Sequence, residues 1–113
     1  CETNYGPQRP LEAGSTLSQA FICAGARRVV SSDWSVDDRA ASQLIGELMN
    51  KVTNDLSQGR DADYAQALQA AKKLLRHGQQ TSAPRDWAAF VLIGPPTSGE
   101  DRHRQAPLAT TRP

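Results

Sequence analysis

The amino-acid sequence predicts an α/β fold, and three observations carry that prediction. Two short stretches read as strands, and the two long stretches between them place apolar residues at helical spacing. The closing stretch, Trp87-Ala88-Ala89-Phe90-Val91-Leu92-Ile93, is apolar without alternation. That is the pattern of a strand covered on both faces, as in a parallel sheet beneath helices.

The elements follow in order. Cys1 to Ser15 carries prolines and glycines around one short apolar cluster and reads as a loop. Ser15 or Thr16 can cap a short helix whose face is Leu17, Ala20, Phe21 and Ala24, at i, i+3, i+4 and i+7, with Gly25 as its stop. Arg27 to Ser32 reads as a strand, and Asp33-Trp34-Ser35 leaves its end. Ser35 with Asp38 matches a capping box in its acidic variant. Ala41, Leu44, Ile45, Leu48, Met49, Val52 and Leu56 then form a wide apolar stripe that Gly59 ends. A further helix is expected from Asp63 to His77. Tyr64, Ala67, Leu68, Ala71, Leu74 and Leu75 face inward; Gln66, Gln69, Lys73 and Arg76 face outward. Gly78 stops it and Pro84 bars its continuation. Gly94-Pro95-Pro96 closes the last strand, and Thr97 to Pro113, without periodicity, is expected to be a disordered tail.

Two interior strands alone leave unpaired ladder edges and uncovered apolar faces. The chain therefore reads as the back half of a larger α/β domain, with about two strands and three helices here. The upstream half is expected to bring the other strands.

Composition excludes several classes. The 113 residues carry 13 Lys+Arg against 12 Asp+Glu, a net charge of +1, which argues against a direct nucleic-acid grip. A hydrophobic fraction of 38% with 5% aromatics allows only a small core. No apolar run approaches the roughly 18 residues of a membrane span, and Cys1-Glu2-Thr3-Asn4 has no secretory leader pattern, so a cytoplasmic setting without membrane contact is expected. Cys1, Cys23, His77 and His103 lack paired ligand spacing, so no metal or other cofactor is expected.

Few side chains offer chemistry. Cys1 is the candidate nucleophile, since a thiolate needs only modest activation, although a lone cysteine carries little weight by itself. Cys23 falls on the apolar side of its helix and reads as structural. His77 suits a helix C-terminus, His103 lies in the tail, and neither is placed to serve Cys1 as a base. Arg27 and Arg28 read as a solvated strand start, and the tail charges, Glu100 and Asp101 among them, as plain solubility.

Ordered pieces of the sequence add a resemblance. Cys1-Glu2-Thr3, the segment Leu17-Ser18-Gln19-Ala20-Phe21-Ile22-Cys23-Ala24-Gly25-Ala26-Arg27-Arg28, the run Trp34-Ser35-Val36-Asp37-Asp38 and the closing Trp87 to Gly94 resemble, over about Cys1 to Gly94, the CHAT peptidases. These are bacterial relatives of caspases and separase. The resemblance implies a caspase-like three-layer αβα sandwich, of which residues 1–96 are the C-terminal part and 97–113 the tail. It implies a cysteine endopeptidase with Cys1 as nucleophile and no cofactor. The catalytic His, and a glycine giving one oxyanion donor, would come from an upstream segment, so these residues alone are expected to be inactive.

It also implies a substrate pocket near Trp34, Asp33, Asp37 and Asp38. Asp37 and Asp38 either line that pocket for a basic side chain or cap the helix, and both readings stand at this stage. Asp33 replaces an apolar residue usual in the family and is expected to favour Lys or Arg substrates. Implied partners are the upstream segment, a protein substrate, and helical-repeat or sensor modules, in bacterial stress or antiphage responses. A non-catalytic scaffold of the same fold is the alternative. A true N-terminal nucleophile, with its own α-amine as base, needs more strands after Cys1 than the sequence supplies.

Overall fold

A computed structural model describes residues 16–101. The order is α1 (Thr16–Cys23), β1 (Val29–Ser32), α2 (Asp38–Ser57), α3 (Tyr64–His77), the single turn α4 (Pro84–Trp87) and β2 (Phe90–Ile93). Cys1 and the loop expected around it lie outside the described residues, as does the cap expected from Ser15.

The helix boundaries have local causes. α1 ends with Ala26 N–H on Phe21 O and Gly25 N–H on Ile22 O, both 3.0 Å, and α2 ends in the same pattern through Arg60 to Asp55 O and Gly59 to Leu56 O. Such an ending needs a left-handed residue after the cap, and Gly25 (φ 111°) and Gly59 (φ 75°) supply it. α2 starts later than its expected capping box. Asp37, not Ser35, is the N-cap, and its carboxylate accepts from Arg39 N–H at 3.1 Å. This leaves Val36 free to enter the core. Asp63 caps α3 through Gln66 N–H at 2.9 Å.

The two strands pair antiparallel, with Val29 opposite Ile93 and Ser32 opposite Phe90. The parallel arrangement expected from the apolar run is thereby corrected. One crossover helix would return the chain for a parallel strand, but α2 descends from the β1 end and α3 climbs back, so β2 must run the opposite way. The strand is also shorter than expected. Trp87 belongs to α4, which starts on Pro84 at a first-turn position that needs no N–H, and Ala88 and Ala89 link it to β2.

Helices lie on both faces of this ribbon. Val30, Phe90 and Leu92 join the core formed with α2 and α3, where Leu44 is 0% and Leu75 1% exposed. On the other face the Ser18 hydroxyl of α1 donates to the Ser31 hydroxyl at 3.3 Å. The layering fits the expected α/β class. Coverage is incomplete, however: Val91, Leu92 and Ile93 stay half-buried, and Leu74, expected inward, is 48% exposed.

Arg28 overturns its reading as a solvated strand start. Its Nε donates to Pro95 O at 3.1 Å, and its Nη2 donates to Thr97 O at 3.2 Å and to Asp101 Oδ1 at 2.8 Å. The guanidinium carbon stands 4.1 Å from the Tyr64 ring centroid. Arg27 adds a longer pair to Asp101 at 3.6 Å. Thr97 bridges Asp63, and Ser98 Oγ accepts from Ala62 N–H at 2.8 Å. Residues 97–101 are thus part of the fold rather than of the tail expected from Thr97.

Two expectations follow. Leu44→Ala should lower the unfolding free energy by about 2–5 kcal/mol in urea denaturation, and a loss below about 1 kcal/mol would place the core elsewhere. The hydrogen bond from Arg28 holds the Asp101 carboxyl below the usual carboxylate range, against its burial and aided by the charges of Arg28 and Arg27. A depressed carboxylate stabilises the fold above its unfolded value, about 3.9, and that stabilisation fades as pH drops toward the folded value. Asp101→Asn should therefore be less stable than the parent at pH 7, with the gap closing in denaturation curves below about pH 4. A gap independent of pH would contradict this ion pair.

Candidate functional site

Because β2 runs antiparallel, the finish of β1, the start of β2, the first turn of α2 and the last turns of α3 converge at one end of the molecule. In open α/β sheets ligands bind beyond the carboxyl ends of strands; for β1 that is the end after Ser32, whereas β2 ends at Ile93 on the opposite side.

Asp33 N–H extends the ladder by donating to Ala89 O at 2.9 Å. Its carboxylate acts on the Lys72 ammonium of α3. Burial lowers the Lys72 pKa below the usual lysine range, and Asp33 opposes that shift. Trp34 is 40% exposed, and its Nε1 donates to Arg85 O at 2.9 Å, tying the β1 exit to α4. Asp37 is committed through Oδ2 to the cap of α2, and Asp38 sits exposed in the first turn.

A cleft of about 420 Å³ opens between the start of α2 and the α3–α4 connection, lined by Asp37, Arg39, Gln80, Thr81, Arg85 and Asp86 among others. Arg39 Nη1 donates to Gln80 Oε1 at 2.7 Å across it. Of the four residues expected around a pocket, only Asp37 lines this cleft; Asp33, Trp34 and Asp38 surround the same end without doing so. Cys1 lies outside the described residues, so its distance to this end is not part of the geometry.

The sequence reading missed Arg39, Arg85 and Asp86 as cleft residues and Lys72 as the neighbour of Asp33. The only local signal was Pro84, which marks a helix start and so places Arg85 and Asp86 in its first turn. Cleft chemistry here is mixed, two carboxylates facing two guanidinium groups, and suits a polar, peptide-like ligand better than a single-sign one. Among the described residues no group of His, Cys, Asp and Glu could hold a metal ion, and no helix is long and apolar enough to cross a membrane.

Comparisons with known proteins add the relationship. Tetratricopeptide repeat protein 28 of Homo sapiens is 33% identical over 78 residues, covering 69% of this chain and 3% of that protein. Its Mus musculus counterpart is 30% identical over the same share of each chain. The chain thus spans about 3% of the length of these relatives. No solved structure matches. The family profile described as the CHAT domain matches residues 1–95, which is most of the chain, and on that match the chain belongs to the CHAT domain family.

Proposed function

We propose that this chain is the nucleophile-bearing, C-terminal part of a caspase-like cysteine endopeptidase. The observation that carries the reading is the family match over residues 1–95, within which Cys1-Glu2-Thr3 resembles the family's nucleophile motif. The convergence of Asp33, Trp34, Asp37 and Asp38 at the carboxyl end of β1 supports it.

In this reading a histidine from a preceding segment takes the Cys1 proton, and the thiolate attacks a peptide carbonyl. The resulting thioester forms as the imidazolium protonates the leaving amine, and water then releases the acid and restores the thiol. Backbone N–H donors hold the oxyanion during both steps. Asp37 shares the cleft with Asp86, Arg39 and Arg85, and its carboxylate, fixed by its own capping bond, is the proposed partner of a basic side chain before the cut bond. Asp33 adds less acidity than its charge suggests, because Lys72 offsets it.

The preceding segment is also the proposed owner of the remaining strands, and its absence would leave these residues inactive. The name of the repeat-protein relatives supports a fusion to helical-repeat modules that govern access to the site. A cytoplasmic role in bacterial stress or antiphage signalling rests on the family resemblance alone.

The test is peptide cleavage by the complete polypeptide, in which Cys1→Ala should fall to background. Turnover equal to the parent would remove Cys1 as nucleophile, and a folded, inert parent would favour the scaffold. For the pocket, Asp37→Asn keeps a capping oxygen and removes the charge, whereas Asp37→Ala removes both. Asp37→Asn should retain thermal stability yet lose preference for Lys or Arg in a peptide library, while Asp37→Ala should also cost about 0.5–2 kcal/mol of stability. A library profile unchanged in Asp37→Asn would leave Asp37 a helix cap only.

A further inference from the structure

The same end of the molecule carries a second cleft whose chemistry the peptidase reading does not use. Gln69, Lys72, Lys73 and Arg76 of α3 and the indole of Trp87 in α4 line an open cleft of about 190 Å³. That is below the roughly 300–1,000 Å³ of a drug-sized or cofactor site, so the space suits one side chain. The floor is apolar, made by the indole and by the methylene stems that long cationic side chains lay along such surfaces.

The indole is held in place. Trp87 Nε1 donates to Ser82 O at 3.2 Å, and the Arg76 guanidinium carbon stands 5.9 Å from the ring centroid. Among the described residues neither Lys73 nor Arg76 enters an ion pair, and the neighbouring acid, Asp33, acts on Lys72. The helix dipole accounts for cations in the last turn, Arg76 and His77. It does not account for Lys72 and Lys73 a turn earlier, gathered with Arg76 around an aromatic floor.

We propose that the cleft between α3 and α4 binds a glutamate side chain of a peptide segment, its carboxylate between Lys73 and Arg76 and its methylenes against Trp87. An anion with a short apolar stem matches both walls, whereas an inorganic anion would leave the apolar floor unused. The site stands apart from cleavage and needs no nucleophile. The Asp33 N–H to Ala89 O bond joins the β1 exit to the segment that follows Trp87.

The complete polypeptide is titrated by calorimetry at low salt with an acetylated, amidated Ala-Ala-Glu-Ala-Ala peptide, with its Gln counterpart, and with inorganic phosphate. The Glu peptide should bind saturably and at least about five-fold more tightly than the Gln peptide, a preference that shrinks with added salt. Lys73→Gln with Arg76→Gln should abolish the preference, and Lys73→Glu with Arg76→Glu should make the Glu peptide the weaker binder. Circular dichroism melts identify any variant that fails to fold, and the neutral pair then carries the comparison. Equal response to Glu and Gln peptides, no saturable change, or a preference that survives in the neutral pair would overturn the proposal. Phosphate matching the Glu peptide at equal concentration would overturn it as well, in favour of a small-anion site.

Discussion

A parity constraint shapes this molecule: two long helices, rather than one, connect its two strands. A strand reached over one helix would run parallel to the first. With α2 descending and α3 returning, the chain arrives again at the end where β1 finished, and β2 has to start there. The pairing of α2 with α3 makes this path stable, because Leu44, Leu48 and Val52 of one meet Ala67, Leu68, Ala71 and Leu75 of the other in a single buried cluster. The small residues Ala67 and Ala71 let the helices approach closely, and the cluster extends to Val30, Phe90 and Leu92 on the sheet. Everything at the open end, from the Trp34 bond to Arg85 to both clefts, is brought together by that return.

The far end is closed by a different device. Arg28 reaches three acceptors on the segment after β2 and lies over the ring of Tyr64 at the start of α3. A planar fork of fixed donors can satisfy two carbonyls, a carboxylate and an aromatic face together; a lysine ammonium has no comparable geometry. The pair with Asp101 is largely shielded, at 13% and 11% side-chain exposure, so its loss strands a charge rather than freeing one to solvent. The ribbon of two strands is therefore tied at both ends, by Asp33 N–H to Ala89 O above and by Arg28 below.

What was legible in the sequence was local. Leu44, Leu48 and Val52 of the stripe expected from Ala41 to Leu56, and the stops at Gly25 and Gly59, depend on spacing and on one backbone conformation each and can be read within a turn or two. Ile45, Met49 and Leu56 of that stripe are instead exposed. The CHAT relationship was legible because several short motifs stood in the right order. Strand direction was misread because the apolar run, which records burial alone, was given more weight than the two helices already read between the strands. Arg28 was misread for a different reason: its partner Asp101 is 73 positions away, and no local pattern joins them. Asp37 and Ser35 were both plausible caps, and the choice fell to Val36, whose burial in the core fixes where the helix can begin.

The charges at the open end bear on how specificity is built. Counting acids in the sequence suggests a pocket selective for basic groups, yet Asp33 spends part of its field on Lys72, and Asp37 and Asp86 share their cleft with Arg39 and Arg85. A carboxylate that already serves the backbone, as Asp37 does at the N-cap, keeps a fixed position and retains lone pairs for a ligand. A ligand that meets such a carboxylate incurs little ordering cost. Around Trp87 the cations Lys73 and Arg76 are exposed, and the indole beside them is hydrogen-bonded to Ser82 O. The cleft at the start of α2 therefore carries both signs and the one at Trp87 cations only, so a basic side chain meets a like charge at the second and finds a partner at the first.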